Sequence, residues 1–339
     1  MKNQLIKNQL LVAEFLATPW ALMPERLSAL ATVISRWSHG APASDAAKFQ
    51  IQTDRVLRDT RRQTSAAISG GGIAVIPIYG VITQRGNMVD DVSGPGMVST
   101  QIVTQMLRQA VADDAVSQIL LDIDSPGGSP VQADEVYREI RRLRKLHADT
   151  PVYAVIGDTG ASGAYYIAVA ADKIFVNPSS LVGSIGVIMP GFGVPNLLQK
   201  LGVEDRTLTA GEHKNLLSPA RAVDPVEREH VQSVLDAVHR HFITAVKAGR
   251  GARLSNNPDL FSGYFWSGDQ AIALGLADAV GSVASVARDV VKQETLVDYT
   301  QVPNPLDSVL RRLGSTLGKS VGAALQQSLS ETSQTPRLQ

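Results

Sequence analysis

An α/β fold with a largely parallel sheet is predicted by three features of this 339-residue sequence. Short apolar runs recur at Ile73 to Thr83 (IAVIPIYGVIT), Gln118 to Asp124 (QILLDID), Pro151 to Gly157 (PVYAVIG) and Lys173 to Asn177 (KIFVN), and their length and β-branched content are those of strands. The first run is apolar almost throughout, as expected of a strand covered on both faces. Segments with helical spacing separate the runs, and strands alternating with helices build βα units whose strands lie parallel.

The elements follow in chain order. Residues 1–45 read as a helical N-terminal segment: Pro24 can open a helix, and Leu27, Leu30, Val33, Ile34 and Trp37 recur at helical spacing before His39-Gly40-Ala41-Pro42 ends it. Residues 46–71 are polar and charged and run into glycines after Ser69, the composition of a linker. A core domain then spans residues 72–295. Within it, Ile102, Val103, Met106, Ala110 and Val111 mark a helix after the first strand. Val136, Ile140 and Leu143 mark one face of a basic amphipathic helix after the second. Gly160-Ala161-Ser162-Gly163 leads from the third strand into another helix. Asp224-Pro225-Val226-Glu227 is a helix start, with Asp224 as cap, Pro225 in the first position and Glu227 able to close a capping box. Val231, Val234, Leu235, Val238, Phe242 and Val246 supply that helix's buried face. Residues 296–339 turn polar and read as a tail, partly helical at Leu306 to Leu329 and disordered beyond.

Composition narrows the function classes. With 32 Lys and Arg against 32 Asp and Glu, the formal net charge is zero, so no basic face for nucleic acid is expected. Cysteine is absent, which excludes disulfides, thiolate metal sites and a cysteine nucleophile. Glu14 and Pro19 break the apolar stretch near the N-terminus, so no signal peptide is expected. The most apolar window, Ile185 to Leu198, contains Pro190, Gly191, Gly193 and Pro195 and is shorter than the ~18 residues of a spanning helix. No cofactor or metal site is implied.

Two turns carry residues suited to chemistry. Ser162 sits between small residues just past a strand and at the start of a helix. Small neighbours let a substrate backbone approach, and a helix N-terminus offers free N–H groups to a developing oxyanion. Taken alone, the tetrapeptide reads first as a tight βα turn with a capping serine. Ser125-Pro126-Gly127-Gly128 closes another strand, and paired glycines there can present a backbone N–H to a ligand oxygen. Asp122 and Asp124 beside it suit ion pairs or turn hydrogen bonds, while Ser179 and Ser180 suit caps or turns and Ser218-Pro219 opens a turn.

Five segments together resemble the signal peptide peptidase A family: IDSPGG (123–128), ASGAYYI (161–167), AADKIFV (170–176), LVGSIGVIM (181–189) and GEHKNLLSPAR (211–221). They occur in the family's order within residues 72–295, and AIALGLAD (271–278) adds to them. The resemblance implies a Clp protease/crotonase-like fold and a serine peptidase working by a Ser–Lys dyad. By position, Ser162 matches the nucleophile, Lys214 the general base, and Ser184 the serine that hydrogen-bonds the lysine. The N–H groups of Gly128 and Gly163 match the oxyanion hole. The family also implies a ring-like homo-oligomer acting on protein or peptide substrates.

The distribution of bases agrees with this assignment. A serine hydroxyl needs a base beside it. No histidine falls between residues 148 and 212, which disfavours a Ser-His-Asp triad whose histidine follows the serine closely. His39, His147, His230, His239 and His241 lie in segments without a supporting motif, and His213 is a neighbour of Lys214. A lysine can take the proton only when neutral, a form that burial in an apolar pocket favours.

The opening FLATPWALMPER (15–26) resembles the phage-encoded branch of the family, the minor capsid proteins with head-maturation protease activity. That branch implies cleavage of scaffold, portal and other head proteins inside an assembling prohead in the host bacterial cytoplasm. Three alternatives remain: a bacterial signal-peptide-degrading member of the same family, a crotonase-like enzyme acting on acyl-CoA, and an inactive structural capsid protein.

Overall fold

The apolar run that starts at Ile73 becomes two strands because the chain turns at Gly80. The computed structural model describes residues 21–22, 72–84, 96–293 and 296–298. The expected N-terminal helix, the linker and the tail beyond residue 298 lie outside the described residues. Strand β1 is Ala21–Leu22, β2 is Gly72–Tyr79 and β3 is Val81–Thr83. Gly80 between β2 and β3 has φ +81°, and a Cβ there would lie 1.7 Å from the Gly96 carbonyl oxygen, so only glycine fits.

Strand β4 (Met97–Ser99) leads into helix α1 (Thr100–Ala112). Next come β5 (Val116–Ser125), the two-residue β6 (Gly127–Gly128) and α2 (Pro130–Leu146). Strand β7 (Val152–Ala161) runs into the short α3 (Gly163–Ala168), followed by β8 (Lys173–Val176) and β9 (Leu181–Gly183). After α4 (Pro195–Lys200) and the long α5 (Pro225–Arg250), the chain adds β10 (Phe265–Ser267), α6 (Gly268–Ala273), β11 (Ala279–Val280) and β12 (Leu296–Asp298).

The larger sheet has the order β10-β9-β7-β5-β2-β12, with β8 joined to β7 and β11 to β8. All its pairs are parallel except β10–β9. The expected α/β fold with a largely parallel sheet is therefore the observed one. Strand β12 pairs with β2 from Leu296↔Ile73 to Asp298↔Val75, so the sheet runs past residue 295. A smaller sheet, β1-β6-β3-β4, lies at the β5–β6 turn.

Alternation along each strand sorts side chains to two cores. Ala74, Ile76, Ile119, Leu121, Ile123, Ala154 and Ile156 face one core, together with Val103, Met106, Leu107 and Ala110 of α1 and Val136, Ile140 and Leu143 of α2. Ile73, Leu120, Val155 and Phe175 face the other, capped by Val286 and Ala287. This two-sided burial is why the strands read as continuous apolar runs.

Two helical faces differ from the sequence expectation. In α1 the buried stripe is Val103, Met106, Leu107 and Ala110, while Ile102 is exposed. In α5 only Phe242, Ala245, Val246 and Arg250 are buried in its second half; Val234 is exposed and Val231, Leu235 and Val238 are half-covered. In the first half of α5 only Glu227, paired with Arg221, is buried among the described residues.

Candidate active site

Three parallel strands end in register, and their ends carry the three motifs. Ser125 of β5 lies opposite Gly160 of β7, and Ala161 of β7 opposite Gly183 of β9. Ligands of open parallel sheets bind outside the carboxyl ends of the strands, and the site falls there.

Ser162 is 1% exposed and has φ 54°, ψ −122°. A non-glycine residue at such a φ is strained by ~1–3 kcal/mol, so its surroundings must hold it. They do so on both sides: the Ser162 N–H donates to the Gly183 carbonyl at 2.7 Å, and its carbonyl accepts from the Tyr166 N–H at 2.9 Å. The hydroxyl makes no capping hydrogen bond to α3, which sets aside the capping-serine reading of the turn. Gly163, at the first helical position, has an N–H with no acceptor inside the helix. Tyr165 and Tyr166 fix α3 from below. The Tyr165 hydroxyl donates to the Leu276 carbonyl at 2.8 Å, and the Tyr166 hydroxyl to Asp134 at 2.9 Å. The Tyr166 ring also stacks on Phe242, 4.8 Å between centroids.

The second turn is fixed by Ser125, which is wholly buried. Its hydroxyl donates to the Gly80 carbonyl at 2.6 Å and accepts from the Gly127 N–H at 3.2 Å. Gly128 runs so close to β3 that a Cβ would lie 2.2 Å from the Ile82 carbonyl oxygen. Because the next N–H, that of Ser129, donates to Ile82 at 2.9 Å, strand alternation turns the Gly128 N–H to the opposite edge. The register partner on that edge is Ala21, with Leu22 opposite Gly127, in an antiparallel pair. The edge of the glycine turn thus receives an extended segment of the same chain.

Ser184 follows directly on the Gly183 that holds Ser162. It has φ 52° and is 7% exposed, and its N–H donates to the Tyr264 carbonyl at 2.8 Å. The neighbouring Trp266 of β10 carries a buried indole N–H without a hydrogen-bond partner. Ser162 and Ser184 are therefore neighbours through one backbone bond.

Lys214 differs from both serines, which are buried. It is exposed, on an irregular stretch between α4 and α5, and its ammonium forms no hydrogen bond to either serine among the described residues. That stretch is anchored from behind. Arg221 donates to the Asn215 carbonyl at 2.7 Å and to both carboxylate oxygens of Glu227, at 2.8 and 2.5 Å. His213 Nδ1 lies 3.5 Å from the same carboxylate. Arg221 chiefly holds the Glu227 carboxyl below the ordinary carboxylate range, with His213 assisting and burial opposing. Glu227 does not close the capping box expected of it, because the charged bond to Arg221 outcompetes a backbone N–H; Asp224 alone caps α5, accepting from Val226 and Glu227 N–H groups at 2.7 and 3.3 Å.

The other sequence candidates have structural partners. Asp124 accepts from the Thr159 N–H at 3.2 Å, and Asp122 accepts from the Tyr79 hydroxyl. Ser180 donates to the Gly157 carbonyl at 2.5 Å and accepts from Asn177, and Ser218 caps its turn through the Ala220 N–H. Among the described residues no three His, Asp or Glu side chains cluster to hold a metal ion. Sequence reasoning gave Ser125, Tyr165 and Arg221 no role of their own although they lie inside quoted motifs, expected only a capping box of Glu227, and set His239 aside as a base.

Residues 144–297 match the family model described as Peptidase family S49. A putative signal peptide peptidase SppA of Enterococcus faecium is 30% identical over 243 residues, 72% of this chain and 70% of that protein. The chain belongs to peptidase family S49. The S49 chain is also 32% identical over 234 residues to the head-tail preconnector protein GP5 of Enterobacteria phage P21, 69% of this chain and 46% of that protein. A third relative, named Na(+)/H(+) antiporter NhaA in Brucella melitensis, is 40% identical over 216 residues, 64% of this chain but 28% of the Brucella protein. No helix among the described residues is long and apolar enough to cross a membrane.

Proposed function

We propose that this S49 chain is a serine endopeptidase in which Ser162 is the nucleophile and Lys214 the general base. The observation that carries it is Ser162: buried, held at a strained φ, with a hydroxyl unused as a cap, beside the N–H of Gly163 and the Gly128 turn, whose edge is taken here by Ala21–Leu22 and would be taken by substrate during hydrolysis. Holding a serine in this costly conformation has no structural return at a turn that needs no cap. Ser162 Oγ adds to the scissile carbonyl carbon while Lys214, in its neutral form, takes the hydroxyl proton. The oxyanion forms against the N–H groups of Gly128 and Gly163. The C–N bond then breaks, and the proton on Lys214 passes to the departing amine. Water cleaves the Ser162 ester by the same steps, Lys214 again accepting and returning the proton, to release the carboxyl product. Ser184 orients the amine of Lys214. Extended pairing at the Gly127–Gly128 edge favours a peptide as substrate.

A lysine that acts as base must be neutral, a form that burial favours, so in the working enzyme we assign the exposed Lys214 segment a covered position. The chain from Phe192 to Val223 exposes several large apolar side chains among its charged ones: Phe192 is 81% exposed and Leu208 97%, with Leu197, Leu201, Val203 and Val223 also exposed. A patch of this kind marks an interaction surface, and the partner we assign to it is a second copy of the chain in a homo-oligomer. The physiological substrates we assign are phage scaffold and head proteins, cleaved within a prohead, on the similarity to phage P21 GP5 together with the FLATPWALMPER opening. Similarity to the Enterococcus protein favours a second reading, a bacterial peptidase that degrades signal peptides.

The test is incubation of the purified full chain with casein and with phage scaffold and head proteins, reading new N-termini by mass spectrometry. Termini that appear with the native chain and not with Ser162→Ala support a peptidase, and preference for head proteins over signal peptides supports the phage setting. Casein left intact by an oligomeric, folded chain overturns the peptidase reading.

A further inference from the structure

The backbone around Ser184 is tied at three successive residues. The Gly183 carbonyl accepts from the Ser162 N–H at 2.7 Å, and the Ser184 N–H donates to the Tyr264 carbonyl at 2.8 Å. Both of these ties come from neighbouring backbone. The third does not: the Ile185 carbonyl lies 2.9 Å from Nε2 of His239, more than fifty residues away on α5. Ile185 is fully buried, so its carbonyl has no water to turn to. A carbonyl only accepts, so His239 must carry a proton on Nε2, whether the imidazole is neutral or charged.

The Ile185 carbonyl belongs to the peptide that follows Ile185, and the Ser184 N–H belongs to the peptide that precedes Ser184, so the ties to His239 and Tyr264 hold the backbone on both sides of Ser184 and with it the direction of the Ser184 hydroxyl. Ser184 is held at φ 52°, a conformation that a serine leaves when its restraints are removed. Without the donor on α5, the Ile185 carbonyl is orphaned, and a shift of the 184–186 backbone that finds it another donor also frees Ser184 to leave its strained φ. His239 is well placed to prevent that, because α5 is itself fixed to the core nearby by Phe242 stacked on Tyr166, three residues further along the helix.

We propose that His239 is a positioning residue: through the Ile185 carbonyl it sets the orientation of Ser184, and it affects the reaction by that route alone. The proposal rests on the reading that Ser184 orients the Lys214 amine in peptide hydrolysis. His239 touches neither substrate nor the reacting atoms.

A double-mutant cycle on the full-length protein tests it, with kcat and KM for a chromogenic peptide normalised to active sites titrated by a fluorophosphonate. His239→Leu is expected to lower kcat ~10–100-fold, the range for lost supporting hydrogen bonds, with KM changed less than about threefold. His239→Gln, whose amide nitrogen can reach the same carbonyl, is expected to restore kcat to within about fivefold of the native protein. In a Ser184→Ala background, His239→Leu is expected to add less than about twofold, since residues acting through one group are not additive. Should His239→Leu fail to fold, His239→Asn, a polar side chain too short to reach the Ile185 carbonyl, takes its place in both backgrounds with the same expected losses. Native kcat in His239→Leu, failure of glutamine to rescue, or losses that multiply with Ser184→Ala would each overturn the proposal. Full activity in Ser184→Ala is a different result: it removes the role of Ser184 itself, and the proposal with it.

Discussion

Substituting one glycine by alanine should disable the oxyanion turn without touching the nucleophile. At Gly128 a Cβ would lie 2.2 Å from the Ile82 carbonyl oxygen, 2.5 Å from its nitrogen and 2.8 Å from its carbonyl carbon. All three are backbone atoms of β3, which cannot swing aside as a side chain would. An ordinary contact needs at least ~3.2 Å, so the turn must retreat from β3 by about 1 Å. The Gly128 N–H moves with it. A misplacement of about 1 Å at a reacting centre costs ~10²-fold, and loss of one oxyanion donor costs ~10²–10³-fold, or about 3–4 kcal/mol of transition-state stabilisation. Gly128→Ala should therefore lower kcat ~10²–10³-fold. KM should change far less, because the developing charge exists only in the transition state. The assay is steady-state hydrolysis of a chromogenic peptide, beside circular dichroism and thermal unfolding to show that the sheet persists. A folded Gly128→Ala protein with kcat within about threefold of the native value would refute the role given to this N–H.

Three further outcomes follow from the same structure. Lys214→Arg and Lys214→Ala should both be inactive in the peptide assay, since arginine stays protonated and alanine has no base; native turnover in Lys214→Arg would remove the lysine from the mechanism. Arg250→Ala should destabilise the fold by about 3–5 kcal/mol and lower Tm by about 10 °C, because the buried guanidinium pairs with Asp278 at 2.7 Å and also donates to the Gly275 carbonyl at 2.8 Å; a shift under 2 °C by calorimetry would contradict this. Glu139 has its carboxyl pKa held at about 2, against an ordinary 4.5, by hydrogen bonds from Arg142 first and Arg108 next, with burial opposing. The folded value lies below the unfolded one, so its contribution is full above about pH 4.5 and fades as the pH falls toward 2. With both arginines largely exposed, screening leaves about 1–2 kcal/mol, so in urea unfolding Glu139→Gln should cost that much at pH 7 and almost nothing at pH 2; equal costs at both would argue against the pairing.

The parts of the fold legible in the sequence are those whose pattern is local. Strands β2, β5, β7 and β8 announce themselves because a strand covered on both faces needs apolar residues on both. The short strands β4, β9, β10 and β11 span two or three residues each, too few for any periodicity. The face of α5 was readable, but whether that face is covered depends on what packs there, and among the described residues its apolar first half stays half-covered or exposed. At the site, motif order singles out Ser162, yet its strained φ is imposed by Gly183 and Tyr166, which meet it only in the folded chain. Glu227 has the spacing of a capping box and is instead drawn to Arg221, whose position opposite it is set by the turn at Ser218. His239 falls outside every sequence motif because its partner is a backbone carbonyl, which leaves no mark on residue type. Lys214 sits in a loop, as its glycine and leucine neighbours suggest, but no local pattern states its distance from Ser162.

The central claim is that Ser162 is the nucleophile, and covalent capture tests it most directly. The native protein is treated with a fluorophosphonate, its intact mass is measured, and the modified residue is mapped by peptide sequencing. One adduct per chain at Ser162, abolished in Ser162→Ala and matched by parallel loss of peptide hydrolysis, is the expected result. An adduct on another residue, or peptide hydrolysis that persists in Ser162→Ala, would contradict it.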